Sequence, residues 1–495
     1  MKYLEELIEK VEGKKVLNNS RRPIESICYD SRKCIPGALF VAMRGTITDG
    51  HKYIETALSK GATAVLCEET AINPDDYPGV TFILTNNSRR ALAAVSHAWY
   101  GYPSETMKVI GVTGTNGKTT STFLLRDILE SAGYKCGIIG TTGIFYRDRK
   151  ITATHTTPES LEMAGYFAEM KDAGVTAVIM EVSSHALHQH RADYISFDAA
   201  LFTNLTHEHL DYHKTMTEYA AAKKILFDML PENSVALVND SGEFTGLLLE
   251  NCKSTKKLIL GTRAGADVVI SGEKLEIASS SFNLFFRDKK ENISIKIKLP
   301  GRFNIENASV CAALAIGMGI DSGIVAEALL HANGAPGRMQ RIPLQNGSVG
   351  IVDYAHTPDA LEKALKACRE ILEVSGNGSS RLICVFGCGG DRDTTKRPLM
   401  GKLSTDMADY SIITNDNPRT EDPEIIFRDI LAGIDNGRRS SLRVIPDRAE
   451  AIETAAFMAE KNDIILVAGK GHEDYQIIGK EKYHFDDAEQ LMRFA

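Results

Sequence analysis

No apolar run in this 495-residue chain approaches the roughly 20 residues that cross a bilayer. Met1 to Lys15 mixes apolar residues with Glu and Lys at helical spacing and holds no unbroken apolar core of the kind a secretory signal needs. The expectation is a cytoplasmic protein with no membrane insertion. Paired Cys-x-x-Cys spacings are also missing, and the nine cysteines are an odd number scattered along the chain. Reduced thiols fit that pattern better than a disulfide framework or a zinc site. Cys384 and Cys388, the nearest pair, read as incidental thiols around a strand end. Positive charge is in deficit, with 57 Lys and Arg against 65 Asp and Glu and a net charge of −8. That balance argues against a general binder of nucleic acid or membrane surfaces, while leaving room for local basic pockets around an anionic substrate. Neither a tandem repeat nor a low-complexity tract interrupts the chain. Hydrophobic residues at 43% and charged residues at 25% are ordinary for a globular protein, and the length suggests about three domains.

What is present begins with Gly111-Val112-Thr113-Gly114-Thr115-Asn116-Gly117-Lys118-Thr119-Thr120. An apolar strand ending near Val109 and Ile110 runs through a glycine-rich turn into an amphipathic helix over Ser121 to Leu129. Backbone N–H groups and the positive end of a helix then converge on one point, the arrangement that binds nucleotide phosphates. Lys118 would reach the β- and γ-phosphates and the Thr119 hydroxyl a magnesium ion. The common G-x-x-x-x-G-K-[ST] pattern wants glycine at position 112, where this chain has valine, with Gly111 one place early. The loop is a variant.

Strand and helix patterns alternate in three stretches. The first covers about residues 1 to 100, with apolar segments at 37–42, 63–67 and 80–84 and helical ones at 53–60 and 88–100; Gly101-Tyr102-Pro103 reads as a linker. The second supplies buried-type strands at 108–112, 136–139, 177–182, 199–203 and 235–239, a doubly wound parallel sheet. Short alternating segments from Asp267 to Lys298 read as antiparallel hairpins before a helix near 304–318, and Gly334-Ala335-Pro336-Gly337 marks a second boundary. The third stretch repeats strand then helix, with strands at 348–352, 382–386, 410–414 and 463–468. Each of its strands enters a polar loop: Asp353 to Pro358, Gly387 to Asp393, Asn415 to Glu421 and Gly469 to Glu473. Ligands of open α/β sheets bind beyond the carboxyl ends of the strands, so these four loops should share one site. The predicted fold is α/β in three domains: an α/β domain over 1–102, a central phosphate-loop domain with a small antiparallel subsheet over 103–335, and a Rossmann-like domain over 336–495.

Glu181 closes one strand of the second stretch, and Thr206 to His213, rich in histidine, follows the next. A carboxylate and imidazoles there suit Mg²⁺ beside a triphosphate, although the histidine run taken alone reads equally as a solvated loop. Lys223 lies in an alanine-rich helix, where a lysine is normally a solvated charge, and spacing does not select it. Arg191, Arg338, Arg392 and Arg419 adjoin glycine-rich or strand-end loops and suggest a site handling several anionic groups.

These motifs resemble the Mur ligases of peptidoglycan synthesis. The resemblance rests on Gly114 to Thr120, Glu181-Val182-Ser183-Ser184-His185, Asn204 to His213, Gly301 to Asn307 and Pro336-Gly337-Arg338-Met339, and it spans all three stretches. Asp30-Ser31-Arg32, His155-Thr156-Thr157-Pro158, Gly390-Asp391-Arg392-Asp393, Asp416-Asn417-Pro418-Arg419 and Gly469 to Glu473 are similar to the members that use meso-2,6-diaminopimelate. The resemblance implies a monomeric, ATP- and Mg²⁺-dependent enzyme that joins this diamino acid to UDP-N-acetylmuramoyl-L-alanyl-D-glutamate through an acyl phosphate. It implies catalytic roles for Lys118, Lys223 and His209, with Lys223 carbamylated, and metal ligation by Thr119, Glu181, His209 and Lys223. Nucleotide binding falls to Gly114, Thr115, Asn116, Gly117, Lys118, Thr119 and Thr120 with Asn304, Arg338 and Asp353. The nucleotide sugar falls to Ser31, Thr46, Ile47, Thr48, Thr156, Thr157, Ser183, Gln189 and Arg191. The diamino acid falls to Arg392, Asp416, Asn417, Pro418, Arg419, Gly469 and Glu473, with Arg419 as the cation that separates diaminopimelate from lysine. His155 stands where some relatives have asparagine. Two other readings compete: a folylpolyglutamate synthase, which shares the phosphate loop but not the N-terminal domain, and a nucleotide-regulated switch without ligase chemistry, which leaves the third stretch's loops unexplained.

Overall fold

A computed structural model describes the whole chain except residues 1, 46–47, 71, 241, 264, 277–278 and 375–377. The chain forms two compact units, one made of Met1–Lys118, Leu129–Ile259 and Gly317–Gly319, the other of Thr119–Ile128, Leu260–Ile316 and Ile320–Ala495.

The first unit holds two large sheets besides a two-stranded pairing near the N-terminus. In one, the strands run in the order Lys15–Leu17, Thr81–Leu84, Ala64–Cys67, Ala38–Val41, Ser26–Cys28, antiparallel at the first pair and parallel thereafter. Ala38–Val41 and Ala64–Cys67 are buried throughout, as continuous apolar runs between helical layers should be. The other sheet runs Arg149–Ile151, Gly143–Tyr146, Cys136–Gly140, Ala177–Glu181, Lys108–Thr113, Ala199–Phe202, Val235–Asn239. Its pairs are parallel from Cys136–Gly140 onward, and the two edge strands form an antiparallel hairpin that the expected all-parallel sheet lacks. The helical spacing over Met1 to Lys15 yields a helix only at Leu4–Leu7, because Lys2 and Tyr3 pair with Pro23–Ile24 and Lys15 begins a strand. The helical spacing did mark the right core residues, since Leu4, Leu7, Ile8 and Val11 are all buried.

In the second unit, Leu260 and Gly261 at the end of the strand Lys256–Gly261 pair with Val268 and Val269. An antiparallel row of Val268–Leu275, Ser280–Phe286 and Glu291–Ile297 follows, as expected for 267–298. The main sheet runs Gln340–Pro343, Val349–Asp353, Ile464–Ala468, Leu382–Phe386, Tyr410–Ile413, Leu442–Val444, parallel except at its first pair. Register places Asp353 beside Ala468, Ala468 beside Phe386 and Phe386 beside Ile413. All four polar loops therefore leave the sheet at one level. All nine cysteines are buried and unbridged. Among the described residues no helix is long and apolar enough to cross a membrane.

Candidate functional site

The phosphate loop grows from the strand Lys108–Thr113 and enters the helix Lys118–Ser131. Gly114 has φ +146° and a Cβ there would lie 1.9 Å from Thr203 Oγ1, so only glycine fits. Gly117 is also left-handed, at φ +84°. Gly111, by contrast, sits inside the strand opposite Met180 and Ala200, where a Cβ would press on Leu226 and Phe197. It serves packing, and the turn that bares backbone N–H groups begins only at Gly114. The next strand's loop braces this turn. Asn204 accepts from Asn116 N at 2.9 Å and, through its carbonyl, from Thr115 N at 2.8 Å, while Thr203 Oγ1 donates to the Asn116 carbonyl at 2.6 Å. Thr119 and Thr120, which open the helix, are buried.

Two lysines meet at one carbonyl. Lys118 Nζ donates to Gly114 O at 2.9 Å and Thr115 O at 2.7 Å, and Lys223 Nζ donates to the same Gly114 O at 2.8 Å. Lys223 is 1% exposed and lies over the Tyr219 ring, not solvated as its helix suggested. Burial, reinforced by the Lys118 charge, holds its amine well below the ordinary lysine range. A neutral amine is the form that adds carbon dioxide, so its surroundings fit carbamylation. Glu181 is likewise buried and accepts from Thr141 N at 2.9 Å and Thr141 Oγ1 at 3.1 Å.

Residues 206–209 of the histidine run form an exposed loop, and His213 beyond them is buried. His185 packs against His209 and Tyr212, and His213 stacks on Tyr219 while its Nε2 meets Ser184 Oγ at 2.9 Å. Burial lowers the pKa of His185 and His209 and brings His213 to about 4. Neutral imidazole is the metal-binding form. Among the described residues no three His, Cys, Asp or Glu side chains form a metal cage. A buried carboxylate such as Glu181 is a donor that suits Mg²⁺ of the kind that keeps phosphate and water oxygens rather than an all-protein shell.

Thr156, Thr157, Ser183, Gln189 and Arg191 fall into one hydrogen-bonded group. Thr157 Oγ1 donates to Glu181 O at 2.9 Å and accepts from Ser183 N at 3.1 Å. Arg191 donates to Thr157 O at 3.1 Å and Gln189 Oε1 at 2.7 Å, and Thr156 Oγ1 contacts Thr141 Oγ1 at 3.0 Å. A cleft of about 500 Å³ holds Ser31 and Thr48 together with Arg89 and Glu159. Glu159 links the two sets, 3.0 Å from Arg191 and 3.4 Å from Arg89. Neither Glu159 nor Arg89 was anticipated, although Glu159 directly follows the Thr-Thr-Pro motif. Thr46 and Ile47 lie outside the described residues, and His155 is exposed.

In the second unit a cleft of about 480 Å³ lies at the carboxyl ends of the parallel strands, and Arg392, Asp416, Asn417, Arg419, Gly469 and Glu473 all line it. Pro418 is buried and does not. Asn417 Nδ2 donates to Glu473 Oε2 at 3.0 Å, and Arg419 Nη1 to Gly390 O at 2.8 Å. Lys470, absent from the sequence reading though inside a motif it named, is fully buried 3.6 Å from Asp416 and 3.5 Å from Glu473. His356, Lys396 and Tyr475 also line the cleft. Nearby, Met339 N donates to Asp353 Oδ2 at 2.8 Å and the Arg338 guanidinium lies over the Tyr354 ring. Burial raises the Asp353 pKa against the opposing Arg338 charge. Asn304 is buried with Nδ2 donating to Pro300 O at 2.8 Å.

A glycine cradle with paired lysines at a sheet's carboxyl edge, and a strand-end cleft lined by arginines and carboxylates, define an α/β enzyme built for polyphosphate and amino-acid chemistry. The chain belongs to the Mur ligase family: its residues 23–100 match the Mur ligase family catalytic domain, 112–315 the Mur ligase middle domain and 337–471 the Mur ligase glutamate ligase domain. It is 43% identical over 478 residues, 96% of each chain, to a UDP-N-acetylmuramoyl-L-alanyl-D-glutamate--2,6-diaminopimelate ligase of Clostridium botulinum. A protein of the same name from Clostridioides difficile is 42% identical over 94% of each chain. A solved structure of a ligase so named superposes with a TM-score of 0.69 at 34% identity, covering 95% of this chain and 94% of that one. The MurF ligase of Thermotoga maritima in complex with ADP shares the fold at 17% identity and a TM-score of 0.57, covering 90% of this chain and 93% of that one.

Proposed function

We propose that this enzyme couples ATP cleavage to formation of an amide between meso-2,6-diaminopimelate and the D-glutamate carboxylate of UDP-N-acetylmuramoyl-L-alanyl-D-glutamate, a step of peptidoglycan precursor synthesis. It acts as a cytoplasmic monomer with modules at 1–102, 103–335 and 336–495. The observation that carries the reading is the strand-end cleft, where Arg392 and Arg419 stand with Asp416, Asn417 and Glu473. Cations for two carboxylates and oxygens for an ammonium are what a doubly zwitterionic diamine requires. The names of the relatives agree with it.

A carboxylate resists attack by an amine because its charge repels the nucleophile and oxide is a poor leaving group. Transfer of the terminal phosphoryl group to the D-glutamate carboxylate removes both obstacles. The diaminopimelate amine then forms the C–N bond, the C–O bond to phosphate breaks, and phosphate and ADP leave. The protein's share is positioning and neutralising oxygen charge. Gly114 to Thr120 would cradle the phosphates, with Lys118 swinging from its own loop carbonyls onto the terminal oxygens. Asn304, Arg338 and Asp353 would hold the rest of the nucleotide. Thr119 and Glu181 would hold one Mg²⁺ and His209 with a carbamylated Lys223 a second, the ions supplying positive charge beside the phosphates. The nucleotide sugar would lie along Ser31, Thr46, Ile47 and Thr48 and reach Thr156, Thr157, Ser183, Gln189 and Arg191.

The test is phosphate release at fixed ATP with and without the nucleotide sugar, across a panel of amino acids. Release that needs the nucleotide sugar and is highest with meso-diaminopimelate supports the reading. Release indifferent to the nucleotide sugar, or equal with L-lysine, overturns it.

A further inference from the structure

We infer that Arg397, which does not itself line the cleft, is the positioning residue that brings Arg392 and Arg419 to one side of it. The inference rests on the cleft's being the diaminopimelate site. Arg397 lies on the helix Lys396–Met407 and is 0% exposed. Its guanidinium grips both oxygens of Glu421, at 2.7 and 2.6 Å, and contacts Asp429 Oδ2 at 2.9 Å and Gly389 O at 3.4 Å. Glu421 closes the loop that carries Arg419, and Gly389 belongs to the loop that carries Arg392. One buried cation thus bonds both.

The bridge continues outward from Glu421. Its Oε2 also accepts from Asp391 N at 2.9 Å, and the Asp391 carboxylate returns to the other loop by accepting from Thr420 N at 3.0 Å and Thr420 Oγ1 at 2.9 Å. A Cβ on Gly390 would lie 2.0 Å from Pro418 O, so the two loops touch backbone to backbone. Asp391 and Arg419 both hold left-handed conformations, at φ +53° and +52°, which side chains adopt at a cost and keep only where neighbours over-determine them. Asp391 immediately precedes Arg392. Without the Arg397 guanidinium the Glu421 carboxylate loses the fork that holds it against Asp391 N, and the two cleft arginines lose the frame that fixes their spacing.

Arg397 also ties its helix to the helix Pro423–Leu431 through Asp429, so a plain staple is the rival explanation. Three variants of the full chain separate the two: Arg397→Lys, which keeps the charge and loses the fork, Glu421→Gln, and Asp429→Asn. Two readouts are needed: the KM and kcat for meso-diaminopimelate, and ATP-dependent hydroxamate formation from the nucleotide sugar with hydroxylamine, which captures an activated carboxyl without using the cleft arginines. Arg397→Lys and Glu421→Gln should raise the diaminopimelate KM about tenfold, the size of a displaced charged contact, and leave hydroxamate formation unchanged. Asp429→Asn should lower the melting temperature and leave that KM alone. An unchanged KM in folded Glu421→Gln protein overturns the inference, as does an equal rise in Asp429→Asn. Absence of hydroxamate from the wild-type enzyme would instead remove the underlying ligase reading.

Discussion

The phosphate loop and the strand-end cleft are built on the same device, polar groups at the carboxyl edge of a parallel sheet, but they spend sequence differently. One is a single run, Gly114 to Lys118, in which each residue answers a local demand: left-handed glycines, bare N–H groups, a lysine folded onto Gly114 O and Thr115 O. The other takes residues from four loops between Tyr354 and Tyr475, brought level by the register of Asp353, Ala468, Phe386 and Ile413. A contiguous site fails when one residue fails, whereas a convergent site fails by degrees. The sharpest way to break that contrast is Lys118→Ala. Removing a charge aimed at developing oxygen charge should cut kcat by about 100- to 1,000-fold. A loss below tenfold would mean that Lys118 stays on its loop carbonyls during turnover.

Lys223 sharpens the same side. Its buried amine, depressed by burial and by Lys118, should carry an added carbon dioxide, seen as an intact-mass increase of one carbon dioxide that disappears on acidification. Lys223→Arg puts a permanent cation there and cannot take the adduct, so it should lose most activity, approaching the Lys118→Ala loss, about 100-fold. An unmodified native mass together with bicarbonate-independent turnover would leave Lys223 as a plain buried amine.

On the cleft side the expected effect is smaller and selective. Arg419→Ala should lower kcat/KM for meso-diaminopimelate at least about tenfold, because a charged contact to the distal carboxylate contributes about 1.5–3 kcal/mol. L-lysine, which lacks that carboxylate, should be used no worse than before. Equal losses for both amino acids would show that Arg419 shapes the cleft without reading the carboxylate.

The same contrast explains what could be read from the sequence. Continuous apolar strands such as Leu382–Phe386 and Val235–Asn239 were placed to the residue, because burial on both faces leaves a run that tolerates no polar break. Edge pieces were not: Gly143–Tyr146 with Arg149–Ile151, and the hairpin Tyr475–Ile478 with Glu481–His484, are short and partly solvated, so they carry little alternation. That second hairpin matters, since Arg419 N donates to Ile477 O at 3.0 Å and Gly479 N to Arg419 O at 2.7 Å. Lys223 was within reach of sequence reasoning. Tyr219, Ala220, Leu226 and Phe227 are buried on the helix Met216–Asp228, and their spacing puts Lys223 on the same face. Reading alanines as neutral concealed it. Arg397 and Lys470 had no such signal, because partners that hold them, Glu421 and Asp429 for one and Asp416 for the other, come from distant segments of the chain.

Acid tests whether an activity loss belongs to either region at all. His97 lies in the helix Ser88–Trp99, fully buried, with neither ring nitrogen hydrogen-bonded, and burial followed by the Lys10 charge lowers its pKa to about 4. An unfolded histidine titrates near 6.5, so above that pH both states are neutral and the residue's contribution to stability is whole. Between about 6.5 and about 4 the unfolded chain takes up a proton that the folded one refuses, and stability drains by up to about 1.4 kcal/mol per pH unit. His97→Leu removes that linkage and leaves both sites untouched. Its melting temperature should fall less steeply than the wild type's between pH 6.5 and pH 5, and activity lost by the wild type alone over that window would be unfolding near His97 rather than titration at the phosphate loop or the cleft. Parallel melting curves for the two proteins would mean that His97 takes up its proton in the fold over the same pH range as in the unfolded chain, and the acid limb would then belong to the histidines around His209.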